Sequence, residues 1–137
     1  MERVILDAGP LVAYFSENES RHEWCVRRFD SFQPPLISCE AALAEAIYLI
    51  TSRGGDAGPI LDLVRDDIIQ VPFQLAREAE AVALLMKRYA GVPMDFADAC
   101  LVRMSEEHDQ ARVFTLDADF KIYRRHGRHV IPLIFPD

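Results

Sequence analysis

Short apolar segments alternate along the chain with longer segments whose apolar residues recur at helical spacing. Val4-Ile5-Leu6 is an apolar, partly β-branched run followed by Asp7-Ala8-Gly9-Pro10, which predicts a buried strand that ends in a turn. Comparable apolar runs predict four further strands. These lie at 36–37, 68–73, 112–116 and 130–135.

The segments between these runs predict helices. Ser38 is a candidate N-cap for one of them, and Gly54-Gly55 is placed to end it, although the two glycines could also form a flexible substrate-side loop. Strands that alternate with helices indicate an α/β/α sandwich around a mostly parallel sheet of about four or five strands, in one domain spanning 1–137. The predicted helices are 10–15, 21–32, 38–52, 57–65, 75–89 and 95–108, with a short helical turn at 119–125.

Composition is that of a folded chain, with 50% hydrophobic and 27% charged residues among 137. No apolar run approaches the roughly 20 residues that span a bilayer, and no basic leader precedes an apolar stretch, so we expect a cytoplasmic protein without membrane association. Cys25, Cys39 and Cys100 are odd in number and form no C-x-x-C pair. They predict reduced thiols rather than a disulfide framework or a zinc site.

The net charge of −7 argues at first sight against a nucleic-acid ligand. Acidic residues that converge to hold divalent cations would nevertheless attract phosphate rather than repel it. The positions of the acids therefore matter more than their number.

Glu45 is the most informative acid. Its neighbours from Ala41 to Ile50 are apolar or small, so the helix that carries it is expected to be buried on most sides. A carboxylate in such a place is costly unless it is paired, protonated or bound to a cation. The alternative is that Glu45 lies on a narrow solvent-exposed stripe.

Three further acids follow a strand or lie at the start of a helix. Asp7 directly follows the first strand, where it could also be a simple turn residue. Asp95 and Asp98 stand three residues apart at a helix start, where Asp95 is explained as an N-cap but Asp98 has apolar neighbours.

The segment Thr115-Leu116-Asp117-Ala118-Asp119-Phe120 places two carboxylates and a hydroxyl just after another strand. In open parallel sheets, functional groups gather outside the carboxyl ends of the strands, so these acids are predicted to converge. Oxygen-only ligands suit Mg²⁺ or Mn²⁺, and carboxylate-held divalent ions commonly hydrolyse phosphodiesters. Candidate cations for substrate phosphates are Arg124, Arg125 and Arg128, with Arg53, Lys87 and Arg88 as weaker candidates.

Four segments together resemble the PIN domain, and more narrowly the VapC-type toxins of toxin–antitoxin pairs. They occur in the order found in that family and extend over essentially the whole chain. They are Val4–Ala13, Ala44-Glu45-Ala46, Pro93–Ala99 and Thr115–Phe120.

The resemblance implies a Mg²⁺- or Mn²⁺-dependent endoribonuclease with catalytic and metal-binding acids at Asp7, Glu45, Asp98 and Asp117. It further implies a metal-site role for Asp95 and pocket roles toward substrate for Thr115 and Asp119. An RNA substrate, a cognate antitoxin that inserts a basic side chain, and a homodimer are also implied.

Two other functions remain open at this point. Asp7 could be the nucleophile of an aspartyl-phosphate phosphatase, although Ala8-Gly9 stand where such enzymes usually carry a second aspartate. The chain could also be a catalytically silent PIN-like module that binds a basic protein partner.

Overall fold

A five-stranded parallel sheet forms the centre of the protein in a computed structural model that describes residues 3–137. Its strands are β1 (Arg3–Leu6), β2 (Leu36–Ile37), β3 (Ile69–Gln70), β4 (Ala111–Phe114) and β7 (Leu133–Ile134), in the order β3-β2-β1-β4-β7. Between β4 and β7, a separate antiparallel pair is formed by β5 (Arg124–Arg125) and β6 (His129–Val130).

The helices of the described chain cover both faces of this sheet. They are α1 (Ala8–Phe15), α2 (His22–Ser31), α3 (Glu40–Ser52), α4 (Gly58–Arg65), α5 (Leu75–Arg88) and α6 (Phe96–Glu107), with a 3₁₀ turn at Ala118–Lys121. No helix within residues 3–137 has both the length and the apolar character needed to cross a membrane.

Side-chain alternation along β1 divides the interior into two cores. Val4 and Leu6 pack with residues of α1 to α4, whereas Ile5 packs with residues of α5 and α6. This is the period-two pattern of a strand buried on both faces. The predicted three-layer α/β/α arrangement and its parallel sheet are therefore confirmed.

The crossover pattern places a crevice at the carboxyl ends of β1 and β4. The chain runs from β1 to β2 and β3 on one side, then returns to place β4 on the other side of β1. Leu6 pairs with Phe114 in register, and the Asp7 amide donates a 3.0 Å hydrogen bond to the Phe114 carbonyl. Ligands of open α/β sheets commonly bind at such a point of reversal.

The helix stop predicted at Gly54-Gly55 is a backbone-bonded turn. Gly54 has φ of 86°, its amide bonds to the Thr51 carbonyl, and the Gly55 amide bonds to the Ile50 carbonyl. These are the two bonds of a Schellman cap, in which glycine accepts the left-handed conformation readily. Of the two interpretations of this pair, the structure supports the helix stop.

Three local predictions were wrong. Ser38 does not cap α3, because Cys39 holds the N-cap position and the Ser38 hydroxyl instead donates to the Leu6 carbonyl at 2.8 Å. The helical turn expected at 119–125 ends at Lys121, and the next residues form the β5–β6 hairpin. The strand expected at 68–73 is reduced to the two paired residues of β3, and the strand expected at 130–135 is divided between the end of β6 and β7, since extended backbone without a partner is not sheet.

Candidate active site

Five carboxylates from separate parts of the chain line one open pocket of about 310 Å³ at the ends of β1 and β4. Asp7 follows β1, Glu45 projects from α3, Asp95 and Asp98 begin α6, and Asp117 follows β4. The structure thus brings together all five residues predicted to bind metal. The rest of the lining consists of Gly9, Leu49 and Leu116.

Asp7 is the most deeply buried of these acids, at 6% exposure. It occupies the N-cap position of α1, and its Oδ1 accepts a 2.7 Å hydrogen bond from the Ala8 amide. Its Oδ2 accepts a 2.7 Å hydrogen bond from the Thr115 hydroxyl. Both oxygens are thereby oriented, so the turn role and the site role of Asp7 coexist.

Thr115 lies beneath the pocket rather than in its lining. Its side chain is completely buried, and its Oγ1 also accepts a 2.9 Å hydrogen bond from the Asp117 amide. Asp117 in turn accepts a 2.9 Å bond from the Asp119 amide at its Oδ1. Thr115 therefore connects the ends of β1 and β4, while Asp119 is outside the set of lining residues.

The start of α6 is a reciprocal capping box. Asp95 accepts a 2.8 Å hydrogen bond from the Asp98 amide, and Asp98 Oδ2 faces the Asp95 amide at 3.4 Å. Both acids therefore serve the helix terminus as well as the pocket. Asp98 is 7% exposed and lines the pocket.

Tyr123 is a site residue that sequence reasoning missed. Its ring is completely buried, and its hydroxyl lies 3.2 Å from both Asp98 Oδ2 and the Pro93 carbonyl, to which it can donate. The nearest sequence signal is its place shortly after Asp117 and Asp119. Nothing in that spacing indicates a contact with Asp98, which lies 25 positions away.

Glu45 faces the pocket from the middle of α3 and is half-buried. Leu49, one turn later on the same face, lies beside it in the lining. Burial and the nearby Asp95 carboxylate both raise the pKa of Glu45.

Burial is the largest cause of raised pKa values in the pocket. It raises the pKa of Asp7 to about 6, that of Glu45 to about 7 and that of Asp98 to about 7, and neighbouring carboxylates add to each rise. At Asp7 the hydrogen bonds from Thr115 and Ala8 act in the opposite direction. These acids repel one another, and no lysine or arginine is among the described residues of the lining to compensate them.

The donor set fits a hard divalent cation in its chemistry, because every charged group in the lining offers carboxylate oxygen. The side chains are not drawn together into a finished ligand shell. Among residues 3–137, no three His, Cys, Asp or Glu side chains form a group that could hold a metal ion as they stand. Ligation would therefore require small rearrangements of these carboxylates.

The predicted phosphate-binding cations lie outside the pocket lining. Arg124 uses one guanidinium nitrogen to donate to the carbonyls of Lys121, Ile122 and Tyr123. Arg53 forms a 2.6 Å ion pair with Glu19 beside a separate hollow of about 600 Å³. Arg125 donates to the Ser105 and Asp109 carbonyls.

No protein-family model matches the chain. The chain is 26% identical over 134 residues to Ribonuclease VapC26 of Mycobacterium tuberculosis, covering 95% of this chain and 93% of that protein. Its fold is similar to the crystal structure of M. tuberculosis VapC20, described as a sarcin-ricin loop cleaving toxin. That match has a TM-score of 0.77 at 20% identity and covers 87% of this chain and 93% of the other. These similarities confirm the resemblance to PIN-domain proteins of the VapC type.

Proposed function

We propose that this protein is a Mg²⁺- or Mn²⁺-dependent endoribonuclease and the toxin component of a toxin–antitoxin pair. The observation that carries the proposal is the convergence of Asp7, Glu45, Asp95, Asp98 and Asp117 in one pocket whose described lining holds no basic side chain. Such a cluster is electrostatically unfavourable by itself and is stabilised when a divalent cation binds. The similarity to Ribonuclease VapC26 supports RNA as the substrate class.

Asp7, Glu45, Asp98 and Asp117 would hold the cation directly or through water, with Asp95 beside them. When bound, a divalent cation lowers the pKa of a coordinated water and stabilises charge on the leaving oxygen. Thr115 keeps Asp7 oriented through its hydrogen bond, and Tyr123 does the same for Asp98. Preorganised ligands of this kind reduce the reorganisation needed during the reaction.

The attacking water would be oriented by Asp98 or Asp117. Both carboxylates line the pocket and belong to different walls of it, one from α6 and one from the end of β4. Either carboxylate is placed to accept a proton from that water, as a general base must. Asp119 and Arg124 would then act on the substrate beyond the reacting phosphate.

The proposed biological setting is a toxin in the cytoplasm that is held inactive by a cognate antitoxin. An acidic pocket open to solvent suits a basic side chain supplied by that partner. We also propose that the protein forms a homodimer. Size measurements of the purified protein with and without the protein encoded by the adjacent gene would test both assemblies.

The catalytic proposal is tested with Asp98→Asn. Asparagine has nearly the same shape as aspartate and keeps an oxygen that can accept the hydrogen bond from the Asp95 amide. We expect a folded protein whose Mn²⁺-dependent cleavage of a total RNA preparation falls by at least about 100-fold, within the range that positioned acid–base groups contribute. Asp30→Asn, on the exposed surface of α2, is the matched control and should cleave like wild type.

Chelation with EDTA should abolish cleavage, and added Mn²⁺ or Mg²⁺ should restore it. Cleavage that survives both chelation and Asp98→Asn would refute the nuclease assignment of this pocket. Binding of a basic partner by a protein that never cleaves RNA would instead indicate the catalytically silent module. A phosphatase would show covalent phosphorylation of Asp7, but no lysine belongs to the described pocket lining to support that chemistry.

A further inference from the structure

Cys39 and Cys100 are two buried thiols that line the same cavity. Cys39 precedes α3, and Cys100 lies in the second turn of α6. Both belong to the same hydrophobic core, and each residue is 1% exposed. Both are free thiols, as is Cys25, which belongs to the core on the opposite face of the sheet.

A small cavity reaches this pair from the surface. It measures about 80 Å³, and both cysteines belong to its lining. Leu75 and Phe96 line it as well and are 45% and 41% exposed, so the cavity begins among accessible side chains. Because a water molecule occupies about 30 Å³ of liquid volume, a molecule the size of hydrogen peroxide fits here and a large disulfide reagent does not.

The two thiols lie at the two helices that present acids to the carboxylate pocket, Cys39 at the start of α3 and Cys100 in α6. Glu45 follows Cys39 along α3, and Asp98 precedes Cys100 by two positions on α6. A covalent bond between the sulfurs would therefore tie the start of α3 to α6 on the face of the sheet that these helices cover.

We propose that Cys39 and Cys100 are a peroxide-sensitive dithiol that forms an intramolecular disulfide. In the first step the O–O bond of hydrogen peroxide breaks, one thiol becomes a sulfenic acid, and water is released. In the second step the other sulfur attacks the sulfenic sulfur, the S–O bond breaks, the S–S bond forms, and a second water leaves. Two thiols are oxidised and one peroxide is reduced, and a small dithiol reverses the change.

The test is peptide mapping of the full-length protein treated with hydrogen peroxide and then alkylated in denaturant. Trypsin places the three cysteines in separate peptides, which span 22–27, 29–53 and 89–103. The expected product is a crosslink between 29–53 and 89–103 that has lost two hydrogen atoms, while 22–27 remains fully alkylated. The number of alkylated thiols should fall from three to one and return to three after treatment with dithiothreitol.

Cys25→Ser serves as the control, because it removes the thiol of the other core and should leave the crosslink intact. Cys39→Ala and Cys100→Ala should each abolish it. Peroxide treatment that leaves all three wild-type thiols alkylated, or that crosslinks Cys25 instead, would overturn the proposal. The readout does not involve RNA or metal, so it is independent of the proposed nuclease activity.

Discussion

The Thr115 hydroxyl donates a 2.7 Å hydrogen bond to Asp7 Oδ2, which joins two residues 108 positions apart at the ends of neighbouring strands. The Thr115 Oγ1 also accepts a hydrogen bond from the Asp117 amide. One buried hydroxyl thus sets the position of two pocket acids. Thr115 therefore holds together the acids that follow β1 and β4 in the candidate active site.

Thr115→Val should reduce both stability and metal binding, because it keeps the shape of the side chain but removes the hydroxyl. Leaving a buried carboxylate oxygen and an amide without their partner costs about 1–3 kcal/mol. Urea denaturation would measure this loss, and Mn²⁺ titration should show weaker binding. Thr115→Ser retains the hydroxyl and should recover most of both properties. Equal stability of the Val and wild-type proteins would contradict the role assigned to this hydrogen bond.

Metal-free protein should lose stability as the pH rises. The pKa values of Asp7, Glu45 and Asp98 are raised in the folded state, so their stabilising protonated forms are fully present below the ordinary carboxyl pKa and are lost as the pH passes about 6 to 7. Glu45→Gln removes one of these titrations. In EDTA, its stability should equal that of wild type near about pH 4 and exceed it near about pH 8.

Urea denaturation at several pH values would measure this difference. A Glu45→Gln variant that is less stable than wild type at the higher pH would mean that Glu45 is compensated by a positive charge, contrary to the composition of the pocket lining. Excess Mn²⁺ should make wild type more stable than Glu45→Gln at the higher pH. A ligand that binds only the folded state stabilises it, and wild type retains all of the binding acids.

Tyr123→Phe should lower cleavage by about 10–100-fold, the usual effect of removing a group that orients a metal ligand. Loss of the hydroxyl also removes a donor that favours ionised Asp98, so the acidic limb of the pH–rate profile should move to higher pH. Tyr89→Phe is the matched control. The Tyr89 hydroxyl accepts a hydrogen bond from the Arg124 amide, and Tyr89 is not part of the pocket lining. The pH–rate profile of Tyr89→Phe should therefore keep the wild-type acidic limb. An unshifted limb in Tyr123→Phe would contradict a positioning role.

Arg124→Ala separates the two functions available to that side chain. Because its guanidinium bonds three carbonyls around the 3₁₀ turn, we expect a loss of about 1 kcal/mol in the free energy of unfolding. If Arg124 also binds an RNA phosphate, the slope of log affinity against log salt will fall by about 0.7, whereas a purely structural arginine leaves it unchanged. Arg124→Lys keeps the charge, so it should keep the wild-type slope while losing stability.

The local sequence pattern was sufficient to predict an element where apolar residues recur at strand or helix spacing. The apolar runs gave the positions of β1, β2 and β4, and the helical spacing gave the helices within a few residues. Asp7, Asp95, Asp98 and Asp117 were found because each follows a strand or begins a helix, and parallel strands bring their ends to one edge. Glu45 was found as a lone carboxylate in an otherwise apolar helix segment. The β5–β6 hairpin was missed because its residues Arg124–Arg125 and His129–Val130 carry neither alternation nor a buried face.

By itself, the sequence determined the layer architecture and the five acids of the pocket, since periodicity and position after a strand are properties of short segments. Only the tertiary structure decided which groups orient those acids and which thiols share a cavity. The pairings of Thr115 with Asp7, Tyr123 with Asp98 and Cys39 with Cys100 join residues remote in the chain. Such contacts depend on how the helices pack against the sheet, and that packing is decided by the whole core rather than by any local run of residues.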